Sequence, residues 1–319
     1  MKLKGISSSA LKRLKTYSIH ERTSKVSRED FATSWSPGNS FAAFLDSLPN
    51  LLGAKDFRAV VRALLSAKQA AKTIHWAMGA HVIKVGLNPI LIDLMKKGFV
   101  SALSLNGAGI IHDTELAMVG RTSEDVEQEL GKGNFGMCRE TPHFINHAIK
   151  KGAEKGLGIG QALGQSLLES TFPYLSSSLL ATACSLHIPV TVHVAIGTDI
   201  IHLHPSMDPK ATGEASHRDF QTFCSVVRTL EEGVFLNIGS AVVLPEVFLK
   251  AVTLVRNLGY PLARITTVNM DFIRHYRPAV NVVHRPTLEG GQGYYLIGCH
   301  ELMVPLLCAA LLEGWVQQT

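Results

Sequence analysis

Beyond residue 80 the chain repeats one alternation, and few folds accommodate it. Short strand-like runs (His81-Val-Ile, Ala102-Leu-Ser-Leu, Val190-Thr-Val-His-Val, Val234-Phe-Leu-Asn-Ile and Arg264-Ile-Thr-Thr-Val) are separated by stretches of helical period such as 216–231 and 245–257. Strands joined through helices form a parallel sheet with both faces covered. Upstream, Ser40-Phe-Ala-Ala-Phe-Leu-Asp-Ser-Leu and Asp56-Phe-Arg-Ala-Val-Val-Arg-Ala-Leu-Leu repeat their apolar residues at three and four, as amphipathic helices do. The expectation is one α/β domain over 40–319, with a doubly wound, mostly parallel, Rossmann-like sheet, helices on both faces and a helical N-terminal extension. The stretch 131–164, rich in glycine and lysine, reads as loop and exposed helix.

A chain of 319 residues, 46% hydrophobic and 18% charged, buries a sizeable core, which excludes disorder as its overall state. Much of the formal net charge of +5 lies before residue 30, in Lys2, Lys4, Lys12, Arg13, Lys15, Arg22, Lys25 and Arg28. Residues 1–39 therefore read as a basic, mobile arm, and charge outside the folded unit is poor grounds for a nucleic-acid partner. The five cysteines include no Cys-x-x-Cys pair, and their odd number does not suit a disulfide framework, so a cytoplasmic location is expected. The apolar run 302–312 is shorter than the roughly 18 residues a membrane helix requires, so no membrane partner is expected.

Three strand-like runs end in small or amide residues: Leu105-Asn106-Gly107-Ala108-Gly109, Ala195-Ile196-Gly197-Thr198-Asp199 and Asn237-Ile238-Gly239-Ser240. In an open parallel sheet, ligands bind beyond the carboxyl ends of the strands, where small residues let backbone amides approach a phosphate or ribose. The same glycines also suit tight strand-to-helix turns, and the residues leave both readings open. The run Gly158-Ile-Gly160-Gln-Ala-Leu-Gly164 follows Lys155-Gly156 instead of an apolar strand, so it lacks the context of a phosphate-binding loop. His193, His202, His204 and His217, with Asp199 among them, form a sequence cluster that could hold zinc, although isolated histidines more often satisfy local hydrogen bonds. No serine stands in Gly-x-Ser-x-Gly, and no cysteine carries a nucleophile signature.

Taken in order, the helix at 41–52, the segment 79–86, Asn106-Gly-Ala-Gly, Ile188-Pro-Val followed by Gly197-Thr-Asp199, Gly239-Ser-Ala-Val-Val and the closing Val304-Pro-Leu-Leu resemble the deoxyhypusine synthase family over about 40–313. The resemblance implies an NAD-dependent homotetramer that oxidises a polyamine and passes its aminobutyl group through an enzyme lysine. It places the cofactor on Asn106, Gly107, Ala108, Thr198, Asp199, Gly239 and Ser240. Where the family has its catalytic Trp-Gly-Lys, this chain reads Val283-His284-Arg285-Pro286, and no lysine follows Lys250. An arginine cannot form the imine, because its guanidinium stays protonated.

His112 and His204 stand where the family has substrate-holding acids, and Leu244-Pro245-Glu246 stands where it has Lys-His-His. The acid/base candidates are therefore Asp199, His112, His204 and Glu246. Lys84 is either a relocated nucleophile or a solvent-facing lysine. A pocket with histidines in place of acids is expected to favour a polycation less. Three readings follow: an NAD-dependent transferase or oxidoreductase acting on a polyamine or other small amine, without the standard covalent-lysine step; a non-catalytic nucleotide-binding scaffold; and a metal-dependent hydrolase built on His193, His202, His204 and His217.

Overall fold

The computed structural model describes residues 5–316. In chain order the elements are α1 (Ser8–Leu11), α2 (Phe41–Ser47), α3 (Leu52–Gln69), β1 (Ile74–Met78), α4 (His81–Lys84), α5 (Asn88–Lys96), β2 (Ala102–Asn106), α6 (Gly107–Val119), α7 (Val126–Leu130), α8 (Glu140–Glu154), α9 (Ile159–Leu168), α10 (Leu179–Ser185) and β3 (Val190–His193). There follow α11 (Pro209–Val227), β4 (Val234–Ile238), α12 (Val243–Asn257), β5 (Thr266–Asp271), α13 (Tyr276–Pro278), β6 (Gln292–Ile297) and α14 (His300–Val316), linked by short 3-10 and π turns. Among the described residues the strands form one parallel sheet in the order β3-β2-β1-β4-β5-β6. The strand order reverses between β1 and β4, and that switch point with the neighbouring carboxyl ends is where such sheets bind ligands.

The two faces of the sheet differ chemically. On one, Ile74, Trp76, Met78, Leu103, Leu105, Val192, Leu236, Ile238, Val268 and Met270 join Phe57, Val60 and Leu64 of α3 and Val304 and Leu307 of α14 in one apolar core. Trp76 keeps its indole N–H satisfied by donating to the Phe99 carbonyl at 3.0 Å. On the other, Phe223 of α11 and Phe248 of α12 cover His75, His193 and Phe235, with Phe235 and Phe248 stacked at 3.7 Å between ring centres. A polar chain crosses three strands there: His75 Nε2 to Ser104 Oγ at 2.7 Å, Ser104 Oγ to Thr191 Oγ1 at 2.6 Å, and Thr191 Oγ1 to His193 Nε2 at 3.1 Å. Burial, with His193 nearby, pushes the His75 pKa down to about 3, and burial pushes His193 down to about 4.

Three sequence expectations are corrected. His81-Val-Ile is the start of helix α4, not a strand; the strand is Ile74–Met78, whose five residues are all buried and so show no alternation. β6, with Gly293 and two tyrosines, lies at the sheet's edge and adds a strand to those expected. The stretch 131–164 is not mainly exposed: α8 and α9 bury Ile145, Ile149, Ile159 and Leu163, and a Cβ at Gly152 would overlap Ala162. Gly160 serves close packing on the sheet, since a Cβ there would overlap the Val190 carbonyl, while Gly158 and Gly164 make room for Asp219 of α11 and Cys184 of α10. Residues 5–39 hold only short helical turns and are almost wholly exposed, which keeps the arm's charge off the sheet.

Candidate functional site

β2 ends at Asn106, whose side chain caps α6 by accepting the Gly109 N–H at 2.9 Å. The next residue has no Cβ for a steric reason: one at Gly107 would overlap the carboxylate of Asp199, which sits against the first turn of α6. Asp199 reaches that place from the loop after β3, where Thr198 Oγ1 donates to the Ala195 carbonyl at 2.7 Å and His202 Nδ1 accepts the Gly197 N–H at 3.1 Å. Burial raises the Asp199 pKa, opposed by His202 and the Thr198 hydroxyl.

Below this carboxylate opens a cavity of about 590 Å³, within the usual size of a small-molecule site. One face of α6 supplies Ala108, Ile111, His112, Glu115, Met118 and Val119, which recur at the helical three and four. The turn after α6 adds Arg121, Thr122 and Glu124; Cys138 precedes α8 and Glu140 and Thr141 open it; the exposed Lys84 ends α4. His112 Nδ1 and Thr122 Oγ1 are 2.6 Å apart, Thr122 Oγ1 donates to Glu115 Oε2, and Thr141 Oγ1 donates to Glu115 Oε1 at 3.3 Å. Burial pushes Glu115 up, but His112, Thr122 and Thr141 outweigh it and hold the carboxyl below its ordinary range.

The cavity brings together five of the residues singled out in the sequence: Lys84, Ala108, His112, Thr198 and Asp199. Asn106 and Gly107 flank it at the start of α6, and the others lie elsewhere. His204 Nδ1 accepts the Ser206 N–H at 3.2 Å in the loop before α11. Glu246, in the first turn of α12, binds Lys250, accepts from Asn281 Nδ2 at 2.9 Å and pairs with Arg277 at 3.3 Å. Ser240 Oγ accepts the Leu244 N–H at 3.3 Å, and Gly239, at φ +65°, leaves room for the ring of His300. The four clustered histidines are dispersed: His193 is inside the sheet, His202 braces the Asp199 loop, and His217 borders a separate groove between α11 and α12. Among the described residues no three His, Cys, Asp or Glu side chains form a group able to hold a metal ion.

Acids from other positions also line the cavity. Glu115, Glu124 and Glu140 face the cavity with Asp199, against Lys84 and Arg121, so carboxylates predominate. Glu115 is within reach of the sequence, since it follows His112 by three residues on one helix; Thr122, Glu124, Glu140 and Thr141 carry no pattern that marks them.

No family model and no curated protein matches the sequence. Solved structures do resemble the fold. ArgZ, an arginine dihydrolase from the ornithine-ammonia cycle in cyanobacteria, is 17% identical with a TM-score of 0.50 over 83% of this chain and 34% of its own. Unliganded AgrE is 18% identical with a TM-score of 0.50 over 81% and 32%. A provisionally assigned deoxyhypusine synthase from Entamoeba histolytica is 10% identical with a TM-score of 0.49 over 88% and 96%. The chain spans about a third of ArgZ and AgrE, and what the likeness to those two establishes is the α/β, Rossmann-like fold.

Proposed function

We propose that the chain is an NAD-dependent enzyme acting on a small cationic amine, of the oxidoreductase or aminoalkyl-transferase kind. The observation that carries this reading is the acid-lined cavity placed at the carboxyl ends of β2 and β3, with apolar walls between its carboxylates. Alternating carboxylates and alkyl surface match an alkylamine, whose ammonium requires acceptors and whose carbon chain requires apolar contact.

The residues at the rim suit a nucleotide. Asp199, Thr198 and Ala108 would hold it, with the Asp199 carboxylate accepting from ribose hydroxyls and glycine at 107 keeping that carboxylate in place. When bound, NAD supplies a hydride acceptor for the carbon that bears the amine. The chain's own residues bind the ammonium and orient the alkyl chain. Lys84 lines the same cavity as Asp199, but the reading does not depend on a covalent lysine. The resemblance to deoxyhypusine synthases adds a polyamine as the first substrate to try and a homotetramer as the assembly.

The test is a thermal-shift screen of NAD, NADP, spermidine and 1,4-diaminobutane, followed by absorbance of reduced nucleotide. Ligands that bind only the native state raise its apparent stability. NAD and a diamine should each raise the midpoint, and only together should they produce reduced nucleotide. A protein stabilised by neither refutes the reading, and one that binds NAD but never reduces it supports the scaffold.

A further inference from the structure

Glu115, Thr122 and His112 form a chain of hydrogen bonds in which the hydrogens can be counted. Thr122 Oγ1 lies in close contact with Glu115 Oε2, and because Glu115 is held as a carboxylate the hydrogen between those oxygens is the threonine's own. A hydroxyl has one hydrogen to give. The 2.6 Å contact between Thr122 Oγ1 and His112 Nδ1 therefore requires the hydrogen to come from the ring. The ring therefore carries a hydrogen on Nδ1, and in its neutral form the lone pair that can accept a proton is on Nε2. The His112 and Glu115 side chains are 16% and 18% exposed, so the arrangement is partly shielded from water yet borders the cavity.

We infer that His112 is a catalytic base for an amine that carries N–H groups, with Thr122 and Glu115 as the positioning residues that set its tautomer. This rests on the reading of the cavity as an amine site and names the class of amine. A primary ammonium can donate to Nε2 of His112; a quaternary ammonium has no N–H to donate. Before the carbon can be oxidised, the ammonium loses a proton. That N–H bond breaks, the proton passes to Nε2, and the nitrogen keeps the electron pair as a free amine. The positive charge gained by His112 is met by Glu115, whose carboxylate lies 3.8 Å from Nδ1 and is joined to it through the Thr122 hydroxyl. The other ionisable groups facing His112 across the cavity are Lys84, Arg121, Glu124, Cys138, Glu140 and Asp199.

Three measurements on the full chain decide the matter. Long-range proton–nitrogen spectra of the histidine rings, with His112 assigned by its loss in His112→Gln, should show the Nδ1–H tautomer in the unaltered protein and in Thr122→Ser, and the Nε2–H tautomer in Thr122→Val; an Nε2–H ring in the unaltered protein overturns the hydrogen count. Thermal shifts should show stabilisation by 1,4-diaminobutane and none by its fully N-methylated bis-quaternary analogue; equal stabilisation overturns the ligand class. Where NAD is reduced, His112→Gln should lower kcat at least about 100-fold with KM changed less than about threefold, and Thr122→Ser should retain most of the rate that Thr122→Val loses; an unchanged kcat in His112→Gln overturns the base. If the unaltered protein reduces no NAD with either spermidine or 1,4-diaminobutane, the oxidation and the base's task in it fall together, while the tautomer and diamine results still judge the site.

Discussion

The Asp199 carboxylate occupies the space in which a side chain at residue 107 would stand, so the first turn of α6 and the loop after β3 are locked by the absence of one carbon. Gly107→Ala should push the carboxylate off the helix end. Overpacking of this kind costs about 1–3 kcal/mol. In urea unfolding the variant should lose roughly that much stability, and in thermal shift it should lose any stabilisation by NAD. Full retention of both would show that Asp199 has other room to occupy.

A second glycine makes room for an aromatic ring. At Gly239 the backbone has φ +65°, and a Cβ would stand 2.8 Å from His300 Cε1. His300 is fully buried, donates from Nε2 to the Met270 carbonyl at 3.3 Å and lies 3.9 Å from Asp271, with the His81 ring 5.3 Å away. Gly239→Ala meets both backbone strain and a clash and should cost about 1–3 kcal/mol or more. The expected readout is a lower urea midpoint with unchanged slope; a stabilised variant would contradict the geometry.

The buried titratable groups set the pH dependence of stability in two opposed senses. His75 and His193 have folded pKa values of about 3 and about 4, below the ordinary 6.5, so the unfolded chain binds more protons between those values and stability is lost as pH falls from about 6.5. Asp219 is the reverse. Burial raises its pKa from 3.8 to about 7 despite N–H groups from Val192 and Gly160, so the folded chain binds the extra proton and stability declines as pH rises from about 4 to about 7. A pKa displaced by 1 on folding corresponds to about 1.4 kcal/mol. Burial also raises Asp113 and Asp199, which act in the sense of Asp219, and lowers His300, which acts with the histidines. In equilibrium unfolding from pH 4 to 8, Asp219→Asn should reduce the decline in stability with rising pH, and His193→Gln should reduce the loss on acidification. A pH-independent stability would refute the assignment.

The polar chain inside the sheet offers a fourth test. Ser104 Oγ bonds to both His75 and Thr191, so Ser104→Ala leaves His75 Nε2 buried without that partner. An unsatisfied buried group of this kind costs about 1–3 kcal/mol. Ser104→Thr keeps a hydroxyl and serves as the control for its loss.

Much of the architecture is legible along the chain because periodicity is a local property. The helical period of 56–65 and 245–257 and the β-branched runs at 190–194 and 234–238 stand in α3, α12, β3 and β4. Ile74–Met78 is not legible, because a strand buried on both faces shows no alternation, and the apolar start of the helix at His81 imitates one. The small residues after β2 and β3 point to the carboxyl ends of those strands, where the cavity lies; Asp199 belongs to them, and His112 comes from the resemblance.

The amino-acid order thus carries the class of fold and the small residues at the carboxyl ends of β2 and β3. The chemistry of the cavity comes from the folded arrangement: Glu115, Glu124 and Glu140 face it, Thr122 joins His112 to Glu115, and Glu246 and His204 lie apart from it. Separation along the chain accounts for the difference. Residues 84, 112, 122, 141 and 199 have no shared period, and they meet because the crossovers of a parallel sheet return each strand's carboxyl end to the same side.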